Sequence, residues 1–201
     1  MTTKRIAVIV GSLRKESFNR KMATNLIRLA PESIKLEILE IGQLQMYNQD
    51  DDKAPPGEWL AFREALKQFD GVIFVTPEYN RSVPAALKNA IDIGSRPYGQ
   101  SAWEGKPAAI MSVSPGSIGG FGANHHLRQS LVFLNMPILQ QPEAYVGGAA
   151  KLFDEKGDLV VDSTRDFAVK FLQAFSTWVD KFSEAPRSSK PPQCERPNAS
   201  L

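Results

Sequence analysis

Short apolar runs alternate with helical patterns five times along the chain, and this alternation limits the folds open to it. The clearest run, IAVIV at residues 6–10, is continuous and rich in β-branched side chains, which is typical of a strand buried on both faces. Strands are predicted at 6–10, 34–41, 71–77 and 107–114, with a fifth near 136–146 whose limits two prolines obscure.

Helical spacing of apolar residues fills the intervals between these runs. Helices are predicted at about 18–30, 57–69, 83–95, 121–134 and 162–182. Strands that alternate with helices require right-handed crossovers, which produce a parallel sheet with helices on both faces. We therefore predict an α/β fold: a flavodoxin-like three-layer sandwich with a five-stranded parallel sheet of order 2-1-3-4-5.

The last predicted helix carries an aromatic stripe at helical spacing. We expect this stripe to pack on the sheet rather than to hold a cofactor. Its members are Phe167, Phe171, Phe175, Trp178 and Phe182.

Size and charge narrow the class of protein. The chain has 201 residues, enough for one domain with a well-buried core. We assign that domain to residues 1–184 and predict that the proline-rich segment 185–201 is a disordered tail. The net charge is only +2 and the basic residues are scattered, which argues against nucleic acid as a partner.

Cysteine content and the first residues bear on location. The single cysteine, Cys194, excludes an intramolecular disulfide and fits a reducing compartment. The apolar stretch from Ile6 to Gly11 is too short for a secretory signal or a membrane span. We expect a cytoplasmic protein with no membrane partner.

In a sheet of the predicted order, the loops after the first, third and fourth strands form the edge at which ligands bind. The first loop, GSLRKESFN at 11–19, leads into a helix whose free N–H groups favour an anion. Ser12, Ser17 and Asn19 add donors, and Arg14 adds a charged group suited to a terminal phosphate. The alternative is that Ser17 or Asn19 only caps the helix. The P-loop and dinucleotide glycine signatures are both absent here.

The second loop lies within TPEYNRSVPAALKNAID at 76–92. Pro77 ends the strand, Ser82 is expected to cap the next helix, and Pro84 is expected to open it. A run of backbone N–H and C=O groups follows the strand, against which a heterocycle with donors and acceptors could lie. That run comprises Glu78, Tyr79 and Asn80. The alternative is a plain turn with an exposed aromatic side chain.

The third loop, SPGSIGGFGANHHLRQSL at 114–131, has four glycines that let the backbone approach a flat ligand closely. Ser114 and Ser117 are candidates for hydrogen bonds to the edge of that ligand. His125 and His126 are adjacent, so on a helix they point about 100° apart and cannot both bind one metal. We expect no metal site, and the histidines should face solvent or an interface.

The motifs GSLRKESFN and TPEYNRSVPAALKNAID, with the later GSIGG, resemble the NAD(P)H-dependent FMN reductase family, with the closest likeness to bacterial chromate and quinone reductases. The resemblance covers about residues 5–182 and implies non-covalently bound FMN and a homodimer or homotetramer. The residues it implies around the FMN phosphate are Ser12, Arg14, Ser17, Phe18 and Asn19. Those it implies beside the isoalloxazine ring are Pro77, Glu78, Tyr79 and Asn80, with Ser114 and Ser117 approaching from the third loop.

The activity that this resemblance implies is hydride transfer from NAD(P)H to FMN and then to quinones, chromate or similar small acceptors, by a ping-pong mechanism. Because the cofactor carries that chemistry, we name no catalytic acid or base. Glu78, expected in an exposed loop, is a poor candidate for a base. The alternative function is a non-enzymatic flavodoxin-like electron carrier or a redox sensor.

The sequence contains one candidate face for self-association. In the helix predicted at 85–94, Leu87 and Ile91 share a face, and Ala86 and Ala90 allow close approach. This face meets either a second copy or the protein's own sheet, and the sequence does not choose between them.

Overall fold

The computed structural model describes residues 3–183, in which one sheet has the strand order β2-β1-β3-β4-β5. Its strands are β1 (Lys4–Val10), β2 (Ile34–Ile38), β3 (Gly71–Thr76), β4 (Ala108–Val113) and β5 (Ala144–Val146). All four pairings are parallel. The predicted α/β fold and strand order are therefore confirmed. The tail predicted at 185–201, with Cys194, lies outside the described residues.

Helices cover both faces of the sheet. They are α1 (Phe18–Leu29), α2 (Gly57–Lys67), α3 (Ala85–Gly94), α4 (Phe121–Phe133) and α5 (Asp162–Ser183), with short 3-10 segments at Gln49–Lys53 and Ala149–Lys151. The helices α1 and α5 pack on one face, and α2, α3 and α4 pack on the other. This is the predicted three-layer arrangement. Within residues 3–183, no helix is long and apolar enough to cross a membrane.

The pleat of β1 divides its side chains between two cores. Ile6, Val8 and Val10 lie in the core beneath α1 and α5. Ala7 and Ile9 lie in the core beneath the other three helices. All of these side chains are 3% exposed or less. This burial on both faces explains why the run is apolar without alternation.

The fifth strand is much shorter than the predicted 136–146. Only Ala144–Val146 pairs with β4 as a strand, and Ile138 makes an isolated bridge to the first residue of β4. Pro137 and Pro142 have no N–H to donate to the ladder, and they interrupt the pairing.

The aromatic stripe of α5 packs against the sheet as expected. Phe171 and Phe175 are buried, and Phe167 and Trp178 pack half-buried against the same core. Phe182, at the end of the stripe, is 38% exposed.

The face of α3 that the sequence offered for self-association is buried in the protein itself. Leu87 and Ala90 are fully buried and Ile91 is 2% exposed, all within the core under α2, α3 and α4. The reason is that α3 covers the apolar side of β3 and β4. The proposal that this face contacts a second copy is therefore wrong.

Trp103 packs tightly against Ile91 and Gly94 at the end of α3. Its indole is fully buried, and Nε1 donates to the carbonyl of Ile91 at 2.9 Å. A Cβ on Gly94 would lie 2.5 Å from Cε2 of that indole. We expect Gly94→Ala to lower the free energy of unfolding by about 1–3 kcal/mol, because the indole must move.

Urea denaturation measures this loss. Gly57→Ala is the matched control, since no heavy atom lies within 4 Å of its added Cβ. The control should stay within about 0.5 kcal/mol of the parent. Equal losses in the two variants would contradict the packing argument.

Candidate functional site

The loops after β1 and β3 touch at the carboxyl edge of the sheet. The N–H of Gly11 donates to the carbonyl of Val75 at 2.9 Å. A Cβ on Gly11 would lie 2.9 Å from Thr76 Oγ1 and 3.3 Å from Pro77 Cδ. A glycine is therefore needed for this approach. It places Pro77, a predicted site residue, directly against the first loop.

A cleft of about 380 Å³ opens beside this contact. Its lining residues are Gly11, Leu13, Arg14, Tyr79, Pro84, Ala85 and Ala86. The structure thus brings together Arg14 and Tyr79, which were predicted from different loops. The apolar lining was not predicted, because small apolar residues carry no chemical signature in a sequence. The only available signal was that Ala85 and Ala86 open the helix that follows an edge loop.

The first loop ends in a capped helix. Ser17 is the N-cap of α1, and its Oγ accepts the N–H of Arg20 at 3.2 Å. Ser17 therefore does cap α1, and its predicted place beside a phosphate stays a prediction. Ser12 and Ser17 are buried, whereas Arg14 is exposed at the cleft. The first intrahelical bond runs from the N–H of Lys21 to the carbonyl of Ser17, so the earlier N–H groups of α1 point out of the helix ladder.

Asn19 does not cap the helix. Its Nδ2 donates to the carbonyl of Val113 at 3.1 Å, which ties α1 to the end of β4. Its Oδ1 is buried and has no partner among the described residues. Phe18 is the first residue of α1, and its ring stacks on Phe153 with the centroids 6.3 Å apart.

The second loop forms a tight turn. The N–H of Tyr79 donates to the carbonyl of Ser82 at 3.1 Å, and the N–H of Ser82 returns a bond to Tyr79 at 2.9 Å. Asn80 and Arg81, between them, have φ values of 49° and 64°, as a two-residue type I′ turn requires. Tyr79 and Asn80 are both exposed, so the turn projects them from the edge of the sheet.

We expected Ser82 to cap the next helix, and this is wrong. The N-cap of α3 is Pro84, and no side chain caps that helix. Ser82 instead closes the turn, two residues earlier. Its Oγ lies 3.0 Å from Nδ1 of His126 on α4, which links the second loop to that helix.

Glu78 is not in the exposed position that we expected. Its side chain is only 10% exposed. Oε2 accepts the N–H of Ala123 at 3.1 Å, and Oε1 accepts Nη1 of Arg81 at 2.9 Å. Burial by itself would raise the pKa of this carboxyl. The N–H groups of Ala123 and Gly122 and the Arg81 guanidinium outweigh that effect and hold the pKa below its ordinary value.

The third loop packs closely against the segment after β5. Ser114 Oγ accepts the N–H of Gly116 at 3.2 Å, and the Ser114 carbonyl accepts the N–H of Ala149 at 3.1 Å. Ser117 is exposed. The structure therefore uses the Ser114 hydroxyl within its own turn, and the contact of Ser117 with a ligand stays a prediction.

The two histidines have separate surroundings. Nε2 of His125 lies 2.9 Å from the Tyr145 hydroxyl, and its ring packs against Phe121. Burial and the neighbouring Glu143 raise the pKa of Tyr145 to about 12. The phenol therefore stays protonated at neutral pH. In the described part of the chain, no group of three or more possible ligands could hold a metal ion.

The family can now be assigned. A model of the NADPH-dependent FMN reductase family matches residues 4–151. The chain belongs to this family. The match runs from β1 to the second 3-10 segment, so it includes all three loops and every predicted site residue. The resemblance that the motifs indicated is confirmed.

Similar proteins support the assignment. A quinone reductase of Pseudomonas putida is 63% identical over 175 residues, which cover 87% of this chain and 94% of that protein. A 2-hydroxy-1,4-benzoquinone reductase of Burkholderia sp is 43% identical over 87% of this chain and 96% of that protein. The solved structure of FerB, a flavoenzyme NAD(P)H:(acceptor) oxidoreductase from Paracoccus denitrificans, has a TM-score of 0.84 at 39% identity, covering 90% of this chain and 99% of that one.

This FMN reductase family member is an oxidoreductase that uses FMN and NAD(P)H. The described residues fit FMN. The N–H groups at the start of α1 suit a phosphate. Arg14, which has no ion-pair partner within residues 3–183, lies in the loop that leads into this helix. The buried Oδ1 of Asn19, unpaired among the described residues, is an acceptor and therefore suits a hydroxyl of the ligand rather than its phosphate. The contacts of the individual predicted residues with FMN stay predictions.

Arg14 provides the test of the phosphate assignment. We expect Arg14→Gln to raise the Kd for FMN about tenfold, because one charge-assisted hydrogen bond is lost from an exposed position. Quenching of flavin fluorescence on titration of the apoprotein measures this Kd. Lys170→Gln is the control, since Lys170 is an exposed cation on α5. An unchanged Kd for the Arg14 variant would remove Arg14 from the site.

Proposed function

We propose that the protein is an FMN-dependent NAD(P)H:quinone reductase that works by a ping-pong mechanism. The observation that carries this proposal is the cleft of about 380 Å³ that Arg14 shares with the first turn of α3. Quinones are the favoured acceptors because the Pseudomonas putida relative is a quinone reductase at 63% identity. Chromate stays a further candidate acceptor, from the motif resemblance.

The predicted site residues, of which Arg14 and Tyr79 line the cleft, divide into two groups in this proposal. Ser12, Ser17, Arg14 and the first N–H groups of α1 bind the phosphate. Glu78, Tyr79, Asn80 and Pro77 orient the ring, with Ser114 and Ser117 at its edge. FMN, when bound, supplies the hydride chemistry. Leu13 and Tyr79 are 56% and 47% exposed and line the cleft, so they offer an apolar surface to a flat acceptor and exclude water from it.

A shared cleft accounts for the ping-pong order. The nicotinamide and the acceptor must both reach the same exposed face of the ring, so one leaves before the other enters. No side chain is assigned as an acid or base. The Glu78 carboxylate accepts hydrogen bonds from Ala123 and Arg81, and this leaves it poorly placed to take a proton from a substrate.

Anaerobic reduction tests the function. Addition of NADPH to the FMN-loaded protein should bleach the flavin absorbance within seconds, and addition of a benzoquinone should restore it. Initial rates at several fixed quinone concentrations should give parallel double-reciprocal lines, as ping-pong kinetics require. A protein that binds FMN but is reduced only by a separate reductase would be an electron carrier, and the proposal would be wrong.

We also propose a homodimer or homotetramer. Apolar side chains remain exposed on α4 and just before it, a feature that marks interaction surfaces. They are Ile118 (57%), Phe121 (47%), Val132 (68%) and Phe133 (80%). The cytoplasmic location and the assignment of residues 1–184 to one domain stay predictions from the sequence.

Sedimentation velocity at micromolar concentration tests the assembly. We expect the parent protein to sediment as a dimer or larger species, and Phe133→Asp to shift the distribution towards the monomer. Leu60→Asp is the control, since Leu60 is 48% exposed but lies on α2. A monomeric parent protein would contradict the proposal.

A further inference from the structure

The start of α4 lacks the side-chain cap that a helix usually has. Its N-cap is Gly120, at φ 76°, and no side chain of the N-cap accepts a hydrogen bond. The first N–H groups of a helix need acceptors, and a buried helix start without them is costly. In α4 the acceptor comes from another loop: Glu78 Oε2 accepts the N–H of Ala123 at 3.1 Å and also interacts with the N–H of Gly122.

The approach between these two loops is close and depends on glycine. A Cβ on Gly122 would lie 3.0 Å from Glu78 Oε2 and 2.7 Å from the carbonyl oxygen of Arg81. A Cβ on Gly120 would lie 3.6 Å from the Cβ of Glu78. The turn after β3 therefore rests directly on the first turn of α4.

The other oxygen of Glu78 acts within the turn itself. Oε1 accepts Nη1 of Arg81, which has a left-handed backbone at φ 64°. Such a conformation is strained for a residue other than glycine and persists only where the surroundings enforce it. The same carboxylate thus stabilises the turn that projects Tyr79 and Asn80 and attaches that turn to α4.

We infer that Glu78 is a positioning residue: its carboxylate holds the turn of the second loop on the start of α4 and so fixes where Tyr79 and Asn80 stand relative to the flavin ring. The inference rests on the proposed function, because the ring is assigned to the space between these loops. Glu78 acts through Tyr79, Asn80 and the backbone of the third loop. Both oxygens of its carboxylate already accept bonds from described residues, Ala123 and Arg81.

Two variants disturb this attachment in different ways. Glu78→Gln removes the charge and leaves one amide nitrogen facing a donor. Gly122→Ala keeps every charge but places a methyl group between the loops. Alanine is a better helix former than glycine, so a loss in the second variant cannot come from helix propensity. Glu64→Gln is the matched control, because Glu64 pairs with Lys67 at 2.6 Å in the same i,i+3 spacing on the exposed face of α2.

Affinity and redox potential are the measurements. We expect both Glu78→Gln and Gly122→Ala to raise the Kd for FMN at least tenfold and to shift the midpoint potential of bound flavin to more negative values. The shift is expected because backbone N–H groups that stabilise the reduced ring are displaced. The control should match the parent in both measurements. A thermal melt confirms that each variant is folded at the temperature of the assay, and if Glu78→Gln does not fold, Gly122→Ala decides.

If the folded variants keep the parent's Kd for FMN within twofold and its potential, Glu78 only stabilises the fold, and the proposed function is untouched. If the parent protein itself fails to bind FMN, the proposed function fails first and the inference fails with it.

Discussion

Burial of the sheet on both faces is the constraint on which the other features of the molecule depend. The strands β3 and β4 are buried throughout, and β1 is buried from Ile6 to Val10. Helices must therefore cover both sides, and every connection must cross from one end of the sheet to the other. The carboxyl ends of the strands then share one edge. The helices α1, α3 and α4 all begin there, and their positive dipole ends converge on the same region.

Polar side chains fix the shape of that edge before any ligand arrives. Asn19 joins the start of α1 to the carbonyl of Val113, and Glu78 joins the second loop to Ala123. Both bonds are made between residues far apart in the chain. The Asn19 bond is buried and the Glu78 bond is partly buried, and shielding from water strengthens a hydrogen bond. The loops are therefore held in place by the protein's own hydrogen bonds. Preorganisation of this kind lowers the cost of binding a rigid, flat ligand.

The parts of this molecule that could be read from the sequence are those with a local physical signature. The run at 6–10 has no polar alternation because both its faces are buried, and the stripe from Phe167 to Trp178 follows the period of a helix. The limits of β5 were harder to predict, because the effect of Pro142 on pairing depends on the neighbouring strand. Ser82 looked like a helix cap, yet it closes a turn that only the backbone geometry shows.

The sequence by itself determined the strands, the helices and the three loops that carry polar chemistry, since periodicity and turn residues act over a few neighbouring positions. The strand order followed from the general rules for right-handed crossovers in parallel sheets. Only the tertiary structure decided what each polar group does there. Ser17 caps α1, the amide of Asn19 turns inward, and Glu78 becomes an acceptor for a helix 45 residues further along. A hydrogen bond depends on distance in space, and the number of residues between Glu78 and α4 does not give the distance between them.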